Sequence, residues 1–438
     1  MTTLIESPLS KLTEEQIDAL GKEFDAIHDE VFAELGDRDR RYITSMIGMH
    51  RRLVVGSRVV LLDSRHRPAW VLGTSMLGLA KILENMEIGH NVMHGQWDWM
   101  NDPRIHSSTW DWDTASTAEA WKHSHNYVHH TYTNIRGKDK DLGYEIMRID
   151  PHQKWNPVYL AQPFYNLLLA AFFEWGVAAH DLDFEAIRKG EKSKAAIKRE
   201  LKGMAGKART QIVKDYIAFP ALSAAAAGAV TWAVKRRGST GKAAAEEALE
   251  VARTTFRKTL QANATANVAR NVWSYAIIFC GHFPDQTYTF SEEETEDESR
   301  GGFYVRQLLG AANIEGSPLF HVISGNLGYQ VEHHLYPDMP STRYAEIAPR
   351  VKDICRRYDL PYNTGPFGKQ LGSVQRTILR LAFPGGAPRP KPGPYRGDDY
   401  EEAPLAGQAP AADRAPAGAN GAGPEQPSDG VRVSMPGG

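Results

Sequence analysis

The chain has 438 residues, 16 histidines and a formal net charge of -2 at pH 7. This length allows a large buried core, and the near-neutral charge gives no reason to expect a nucleic-acid partner. Two cysteines, Cys280 and Cys355, exclude a disulfide framework and a thiolate cluster for zinc or iron–sulfur. Any metal site must therefore use nitrogen and oxygen ligands.

Residues 1–41 form a first region, predicted to be cytosolic and helical. Thr13 is followed by Glu14, Glu15 and Gln16, a capping-box pattern that predicts an amphipathic helix ending near Leu35. Residues 1–25 lack a basic stretch followed by an apolar core, so we expect no signal peptide.

Apolar segments interrupt an otherwise polar chain whose mean hydropathy is negative. Segments 158–179 and 216–234 reach the length of about 20 residues that a bilayer requires. Weaker candidates lie at 53–62, 70–86 and 263–281. Membrane spans are the favoured interpretation, and buried helices of a large soluble protein are the alternative.

Histidines cluster in three short windows that are far apart in the chain. Neutral imidazole is the commonest protein ligand for transition metals, so such clustering indicates a metal site. Polar groups next to apolar helices are also costly unless they serve a function. The windows are His90-Asn-Val-Met-His94, His125-Asn-Tyr-Val-His129-His130 and Gln330-Val-Glu-His333-His334.

The spacing within each window predicts how the rings point. Residues four apart share a helix face, so His90 and His94 can aim at one point, as can His125 and His129. Adjacent histidines diverge by roughly 100° around a helix. Such pairs suit two neighbouring metals better than one.

A parity argument limits the topology. Clusters that share one site must lie on one side of the membrane, so an even number of spans separates the second cluster from the third. Three apolar segments lie between them, and 158–179 is the one excluded, because Pro163 and Glu174 interrupt it. It is expected to be re-entrant or interfacial. We therefore predict an all-α integral membrane protein with about four transmembrane helices and a cytosolic histidine-rich helical cap.

The polar segments carry weaker signals. The basic stretch 182–214 could lie along an anionic membrane surface or be a solvated helix face, and 236–258 is expected to be a charged connector. A membrane domain is predicted over 42–384. The Pro/Gly/Ala-rich tail, 385–438, is predicted to be disordered.

The histidine-rich ligand set narrows the choice of metal to iron, copper or zinc. Soluble di-iron bundles use a repeated Glu-x-x-His motif. Glu87-Ile-Gly-His90 matches it, and we find no second copy. A histidine-rich di-iron centre at a membrane surface is therefore favoured.

Isolated histidines are more often structural than ligands. His282 closes an apolar segment and is a weaker candidate, His123 points away from its cluster, and the role of His321 stays open. Surface or packing roles are expected for His28, His50, His66, His106, His152 and His180.

The sequence around the clusters resembles the membrane fatty acid desaturase family. GHNVMHGQWDWM at 89–100 is similar to the first histidine box of that family. Residues 124–134 match the second box with Ser124 in place of a lysine, and YQVEHHLYPDMP at 329–340 matches the third. Gln330 is typical of the acyl-CoA and front-end branch. The resemblance runs from about residue 86 to residue 384.

The resemblance implies two iron ions, with dioxygen as co-substrate. No His-Pro-Gly-Gly haem signature is present, so we expect a separate electron donor: a ferredoxin, a flavin/iron–sulfur reductase or a cytochrome b5-like protein. The implied ligands are His90, His94, His125, His129, His130, His282, Gln330, His333 and His334.

By this resemblance the expected activity is that of an acyl-CoA desaturase. It would insert a cis double bond near the middle (Δ9-like) of a long-chain saturated acyl group, carried as acyl-CoA or acyl lipid. The active site would face the cytosol from an inner or plasma membrane. An acyl-lipid hydroxylase or oxygenase on the same scaffold is one alternative. A non-enzymatic membrane protein that binds or transports metal is the other.

Two further sets of candidates surround the site. Phosphate groups of a soluble carrier would need basic residues, for which Arg188, Lys189, Arg343 and Arg350 are candidates. Acids near the boxes could accept hydrogen bonds from the ligand rings, or be solvated loop residues. They are Asp98, Asp102, Asp139, Asp141 and Glu332.

Overall fold

Helices dominate the computed structural model, which describes residues 7–386 and 388–398. Two three-residue strands, β1 (Asn313–Glu315) and β2 (Thr364–Pro366), pair in parallel. Apart from this short pair, the predicted all-α class is confirmed. Short 3-10 turns lie at Pro8–Lys11, Asp98–Met100, Leu142–Glu145, Pro157–Ala161, Glu293–Thr295, Leu327–Tyr329 and Ser341–Arg343.

The predicted N-terminal helix is confirmed as α1 (Glu14–Ala33). The Gln16 N–H donates to Thr13 Oγ1 over 3.2 Å, and the Thr13 N–H donates to Gln16 Oε1 over 2.9 Å, which completes the capping box. The buried face of α1, including Leu20 and Phe24, packs into the largest apolar core of the molecule.

Two long helices lead to the first histidine cluster. They are α2 (Asp37–Leu61) and α3 (Arg67–Ile82), and they pack against each other. The chain continues from α3 through a π-helical segment (Leu83–His90) into α4 (Asn91–Met93). The first cluster therefore lies at the end of a long helical rod.

Short helices carry the second cluster and the segment after it. The apolar segment 158–179 is not one continuous helix, because the backbone breaks at Phe172. The elements are α5 (Ala118–Trp121), a π-helical segment (Lys122–His129), α6 (His130–Tyr132), α7 (Gln162–Ala171), α8 (Phe173–His180) and α9 (Phe184–Lys189).

A helical hairpin follows. Its first arm joins α10 (Lys194–Ile212), a π-helical segment (Val213–Ala218) and α11 (Phe219–Lys235), and its second arm is α12 (Gly241–His282). With a rise of 1.5 Å per residue, α12 is about 60 Å long. The segment 236–258, expected to be a connector, mostly forms the first half of α12, because its alanines and paired charges favour a helix.

The arm Lys194–Lys235 is, among the described residues, the one helix long and apolar enough to cross a membrane. The prediction of about four spans is not confirmed by this count. Polar side chains account for the difference: α12 buries Asn263, Asn267 and Arg270 along its length, and α3 buries Lys81. The other candidate spans stay predictions.

The C-terminal part of the cap brings the third cluster to the same place. Tyr304, Val331, Tyr336 and Tyr344 share the core that also contains the buried face of α1. The helices are α13 (Arg300–Gly310), α14 (Pro318–Ile323), α15 (Gln330–Leu335), α16 (Tyr344–Arg357) and α17 (Phe367–Leu381).

The predicted disordered tail lies mostly outside the described residues, since 387 and 399–438 are not described. Residues 388–395, here called the C-terminal strap, belong to the same compact unit as the helices. The Tyr395 N–H donates to Leu360 O over 2.9 Å, and Lys391 Nζ donates to Asp285 O over 3.1 Å.

Candidate metal centre

The first cluster lies where α3 ends. His90 is the last residue of the π-helical segment, and His94 follows α4. Their rings are in contact, with centroids 4.5 Å apart. The predicted shared direction of these two rings is therefore confirmed. Single π-helical turns are frequent at functional sites, because the extra residue in the turn redirects side chains.

The second cluster also occupies a π-helical segment, which ends at His129. The rings of His125 and His129 stack with centroids 5.1 Å apart. His130, the next residue, projects edge-on to both. The stacking confirms that His125 and His129 share a face, and the adjacent ring diverges from them as predicted.

The third cluster lies on α15, where His333 and His334 are fully buried. Their rings are inclined by 82°. His333 faces the first cluster, 4.7 Å from His94, whereas the ring of His334 lies 5.1 Å from His129. This adjacent pair therefore divides between two positions.

His282 joins the clusters from the end of α12. Its ring lies 4.7 Å from that of His129 and 4.8 Å from that of His334. Gln330 Nε2 is 3.0 Å from His282 Nε2. Gly281 makes this contact possible, since a Cβ there would come within 2.8 Å of the Gln330 side chain.

Two groups of ligand atoms consist of histidines alone, and a third, made of His125, His129 and Asp141, connects them. Within each group the candidate atoms lie within 4.8 Å of one another. His130 lies between the groups, with its ring 4.9 Å from His333 and 4.6 Å from His334. The first group is His90, His94, His125 and His333, and the second group is His129, His282 and His334.

Outer hydrogen bonds fix the tautomer of five rings. Each ring directs Nδ1 at an acceptor, so that Nε2 keeps its lone pair for a metal. For example, Tyr344 gives its own proton to Tyr336 O, so its oxygen accepts from His333. The pairs are His90 with Asn91 Oδ1 (3.1 Å), His125 with Asp141 Oδ2 (3.3 Å), His129 with Asp139 Oδ1 (3.1 Å), His333 with the Tyr344 hydroxyl (3.2 Å) and His334 with Gln307 Oε1 (3.0 Å).

Two of the five predicted outer acids make these contacts, namely Asp139 and Asp141. The other three bond elsewhere: Asp98 accepts from Ser107, Asp102 accepts from Arg104, and Glu332 accepts from Tyr362 and Asn313. These three acids are close to the histidine boxes in sequence, but their side chains do not bond to the rings of the ligand histidines.

The sequence did not indicate three of the outer partners. Asn91 adjoins His90 and could have been suggested by adjacency. Gln307 and Tyr344 lie on α13 and α16, and no local pattern connects them to the boxes.

Glu87, of the isolated Glu-x-x-His match, faces away from the ligand groups. Its carboxylate accepts from Tyr42 (2.7 Å) and Asn326 (3.0 Å). Asn91 also donates to the Glu87 backbone oxygen over 3.0 Å. Glu87 therefore stabilises the helical segment that carries the first histidine box and does not contact the ligand groups.

Burial sets the charge of most rings. It lowers the pKa of His94, His130 and His333 well below its ordinary value, which keeps these imidazoles neutral. Burial also acts to lower the pKa of His129. The Asp139 and Asp141 carboxylates together have the larger effect, so the pKa of that ring is raised.

The histidines set aside from the ligand set behave in three ways. His123 is exposed and stacks on Tyr127. His321 is buried against Tyr329 and belongs to neither ligand group. His180, predicted to be structural, donates from Nε2 to Asp141 over 2.9 Å. It therefore contacts the outer shell, which its isolation in sequence did not indicate.

A cavity of about 780 Å³ adjoins the first group. Its walls combine aromatic and aliphatic side chains with many polar ones, which include Glu174 and Asp181. Lining residues include Trp112, Trp121, His125, Tyr144, Phe173, Val177, Ile278, His282 and Leu327.

None of the four basic residues predicted to bind the carrier's phosphates lines this cavity. Arg343 is buried in an ion pair with Asp39 at 2.8 Å and holds α16 to α2. Arg350 pairs with Glu30 on α1, while Arg188 and Lys189 neighbour Glu185.

The donor atoms fit metal binding. Buried Nε2 atoms of His94, His125, His129, His333 and His334 have no hydrogen-bond partner among the described residues. Unpaired buried polar atoms are costly, and convergent ones are explained when a cation accepts their lone pairs. Two such groups side by side can hold two metal ions next to a cavity.

Comparison with known proteins agrees with this arrangement. The fatty acid desaturase family model matches residues 66–236 and 256–366. A Mycobacterium tuberculosis protein named NADPH-dependent stearoyl-CoA 9-desaturase is 46% identical over 373 residues, or 85% of this chain and 82% of that protein. An sn-1 linoleoyl-lipid 6-desaturase of Synechocystis sp. is 24% identical over 313 residues, or 68% and 76% of the two chains. Human fatty acid desaturase 3 is 32% identical over 113 residues, which cover 26% of this chain and 24% of that protein.

Proposed function

Because the chain belongs to the fatty acid desaturase family, we propose that it is an oxygen-dependent acyl-CoA desaturase that forms a mid-chain cis double bond. The observation that carries this proposal is the cavity lined by His90, His125 and His282. The M. tuberculosis relative, whose name specifies stearoyl-CoA and position 9, supports the acyl-CoA carrier and the mid-chain position.

We assign one iron ion to each ligand group. His90, His94, His125 and His333 would hold the first, and His129, His282 and His334 the second. His130 is proposed as a ligand between them. Gln330 would act at the second iron, either directly or through its contact with His282.

The overall reaction balances as one dioxygen, two protons, two donor electrons and two C–H bonds giving one C=C bond and two waters. The bound iron pair supplies the oxidising power that no side chain has. The protein holds the acyl chain in a fixed position and excludes water, so that one C–C bond lies beside the ligand groups. Residues such as Asp139, which accept hydrogen bonds from Nδ1 of the ligand histidines, keep the rings oriented.

The carrier's phosphates would meet the basic face of α10. A groove beside the cavity contains Arg199 and Lys202 and shares Thr114 with it. Both basic side chains are exposed. A thioester headgroup in this groove would let the acyl chain enter past Trp112.

We further propose that the protein is an integral membrane protein with its site at the cytosolic face. The apolar helix Lys194–Lys235 supports membrane insertion, and the basic α10 suits the cytosolic side. Electrons would come from a separate protein.

Lipid analysis tests the proposed reaction. The chain is expressed in a host that lacks monounsaturated fatty acids, and fatty acid esters are examined by mass spectrometry. New mid-chain cis double bonds are expected. Hydroxy acids would instead favour the oxygenase, and unchanged lipids with bound metal would favour a metal-binding protein. A His333→Ala variant is the inactive control.

A further inference from the structure

A second cavity reaches the ligand groups from another side. It has a volume of about 650 Å³. His282 lines both this cavity and the cavity of about 780 Å³ beside the first ligand group, here called the acyl cavity. The walls of the second cavity include the Asp150–His152 loop, α17 and the C-terminal strap. This second cavity will be called the polar cavity. This cavity gives the second ligand group an approach that the acyl chain does not use.

Positive charge is concentrated around one carboxylate at the rim of the polar cavity. Arg376 Nη2 lies 2.6 Å from Asp285 Oδ2, and Arg389 Nε lies 3.1 Å from the same oxygen. Arg380 Nη2 is 3.8 Å from the other oxygen. Three guanidinium groups therefore share one buried acid.

Lys391 and Asp150 also contribute charge at the polar cavity, and the charge there remains positive in total. Lys391 donates to the backbone oxygens of Asp285 and Thr287, and it lies within electrostatic range of Asp150 and Asp285. The second acid that lines the cavity, Asp150, is buried and faces another cation, Arg136, at 3.5 Å. Cations at the rim therefore outnumber the acids that the described residues supply.

Arg376 and Arg389 remain accessible despite their bonds to Asp285, with side chains 52% and 36% exposed. An exposed cluster of one sign attracts partners of the opposite sign and accelerates their association. A partner that docks here would be adjacent to His282, and through it to the second ligand group.

We propose that the rim of the polar cavity is the docking surface for an acidic electron-transfer protein. This inference rests on the proposed function, which needs two electrons per double bond. Two one-electron donors would each be oxidised once per turnover, and their electrons would enter at the second ligand group. The basic face of α10 is the other candidate surface, but it adjoins the acyl cavity rather than the second group.

The test uses the full-length enzyme in detergent with stearoyl-CoA. The probe donor is an acidic [2Fe–2S] ferredoxin kept reduced by NADPH and its reductase. The variant R376Q/R389Q removes two charges and leaves Arg380 and Lys391 with Asp285. The matched control, R356Q/R357Q, removes two arginines of similar exposure that are bound to Asp353 on α16.

We expect R376Q/R389Q to raise the KM for ferredoxin about tenfold at low salt and to flatten its dependence on ionic strength. The KM for stearoyl-CoA should not change. A second measurement replaces ferredoxin by photoreduced deazaflavin, a small reductant that needs no docking surface. Single-turnover product should then equal that of the wild type, which also shows that the variant is folded.

Three results would overturn the inference. They are an unchanged KM for ferredoxin in R376Q/R389Q, an equal rise in R356Q/R357Q, and a wild type that deazaflavin drives but ferredoxin does not. Failure of the proposed function is distinct, because the wild type would then form no double bond with either reductant.

Discussion

The two histidine groups differ in what surrounds them. The first group faces the acyl cavity and has mainly neutral outer partners, Asn91 and Tyr344, beside one carboxylate. The second group meets both cavities through His282, and its outer partners are the buried Asp139 at His129 and the amide of Gln307 at His334. The same imidazole chemistry is therefore placed in two environments.

This difference bears on the strength with which each group would hold a metal. A carboxylate partner raises the basicity of an imidazole ligand more than an amide or a phenol does. Asp139 is itself fixed, since the backbone N–H groups of Asn134 and Asp141 donate to it over 2.7 and 3.0 Å. We infer that the second group depends mainly on this rigid acid, with the Gln307 amide beside it, whereas the first group is supported by an amide, a phenol and a carboxylate.

The largest effect is expected from His129→Ala. It removes a ligand from the second group and should abolish desaturation and lower bound iron, as measured by product analysis and elemental analysis. His123→Ala, at an exposed ring, should change neither. Full activity in His129→Ala would remove the basis for the ligand assignment.

Asp139→Asn should have the next largest effect. The amide keeps the shape of the side chain but loses the charge that holds His129 Nδ1–H. Loss of such a partner costs about 10–100-fold in metal affinity. Competition with an iron chelator measures it, and an affinity equal to the wild type would show that the two groups do not differ as inferred.

Tyr344→Phe tests the neutral support of the first group. The phenol accepts from His333 Nδ1, and a neutral hydrogen bond of this kind contributes about 1 kcal/mol. Iron affinity should fall about fivefold, less than in Asp139→Asn. The same chelator competition measures it, and a loss larger than that of Asp139→Asn would reverse the comparison.

The smallest effect on iron binding is expected from Asp181→Asn in the acyl cavity. Burial raises the pKa of Asp181 to about 6, although Ser116 and Ser124 donate to it. In the unfolded chain this acid loses its proton near pH 4. The folded protein keeps the proton longer, so Asp181 should make stability fall as pH rises from about 4 to 6.

The Asn variant should lack this part of the pH dependence while its iron content is unchanged. Thermal denaturation between pH 4 and pH 7 measures the difference. Identical pH profiles for the two proteins would show that Asp181 does not carry a raised pKa.

Motif spacing predicted the site better than it predicted the fold. The clustered histidines come together, because short windows of helix fix the direction of side chains. His282, which is isolated in sequence and was favoured only by the family resemblance, joins them from the end of α12. No local pattern indicates the π-helical segments that end at His90 and His129, because a period of 3.6 residues describes only the regular α-helix. Partners such as Gln307 depend on tertiary packing, which local patterns do not encode.

The number of membrane spans was predicted less well than the site, because mean hydropathy also ignores tertiary packing. Hydropathy averages a whole segment, whereas α12 places its polar residues, such as Asn263 and Arg270, on a buried face. The charged segment that was predicted to be a connector forms the first half of α12, because its alanines favour a helix despite the charges.

The most direct test of two unlike metal positions is Mössbauer spectroscopy of the full-length enzyme loaded with ⁵⁷Fe, together with its iron content. Two unlike ligand groups predict two irons per chain and two quadrupole doublets of equal area in the reduced protein. Asp139→Asn should weaken or shift one doublet and leave the other unchanged. One iron per chain, or a single doublet that responds as a whole, would contradict the division into two groups.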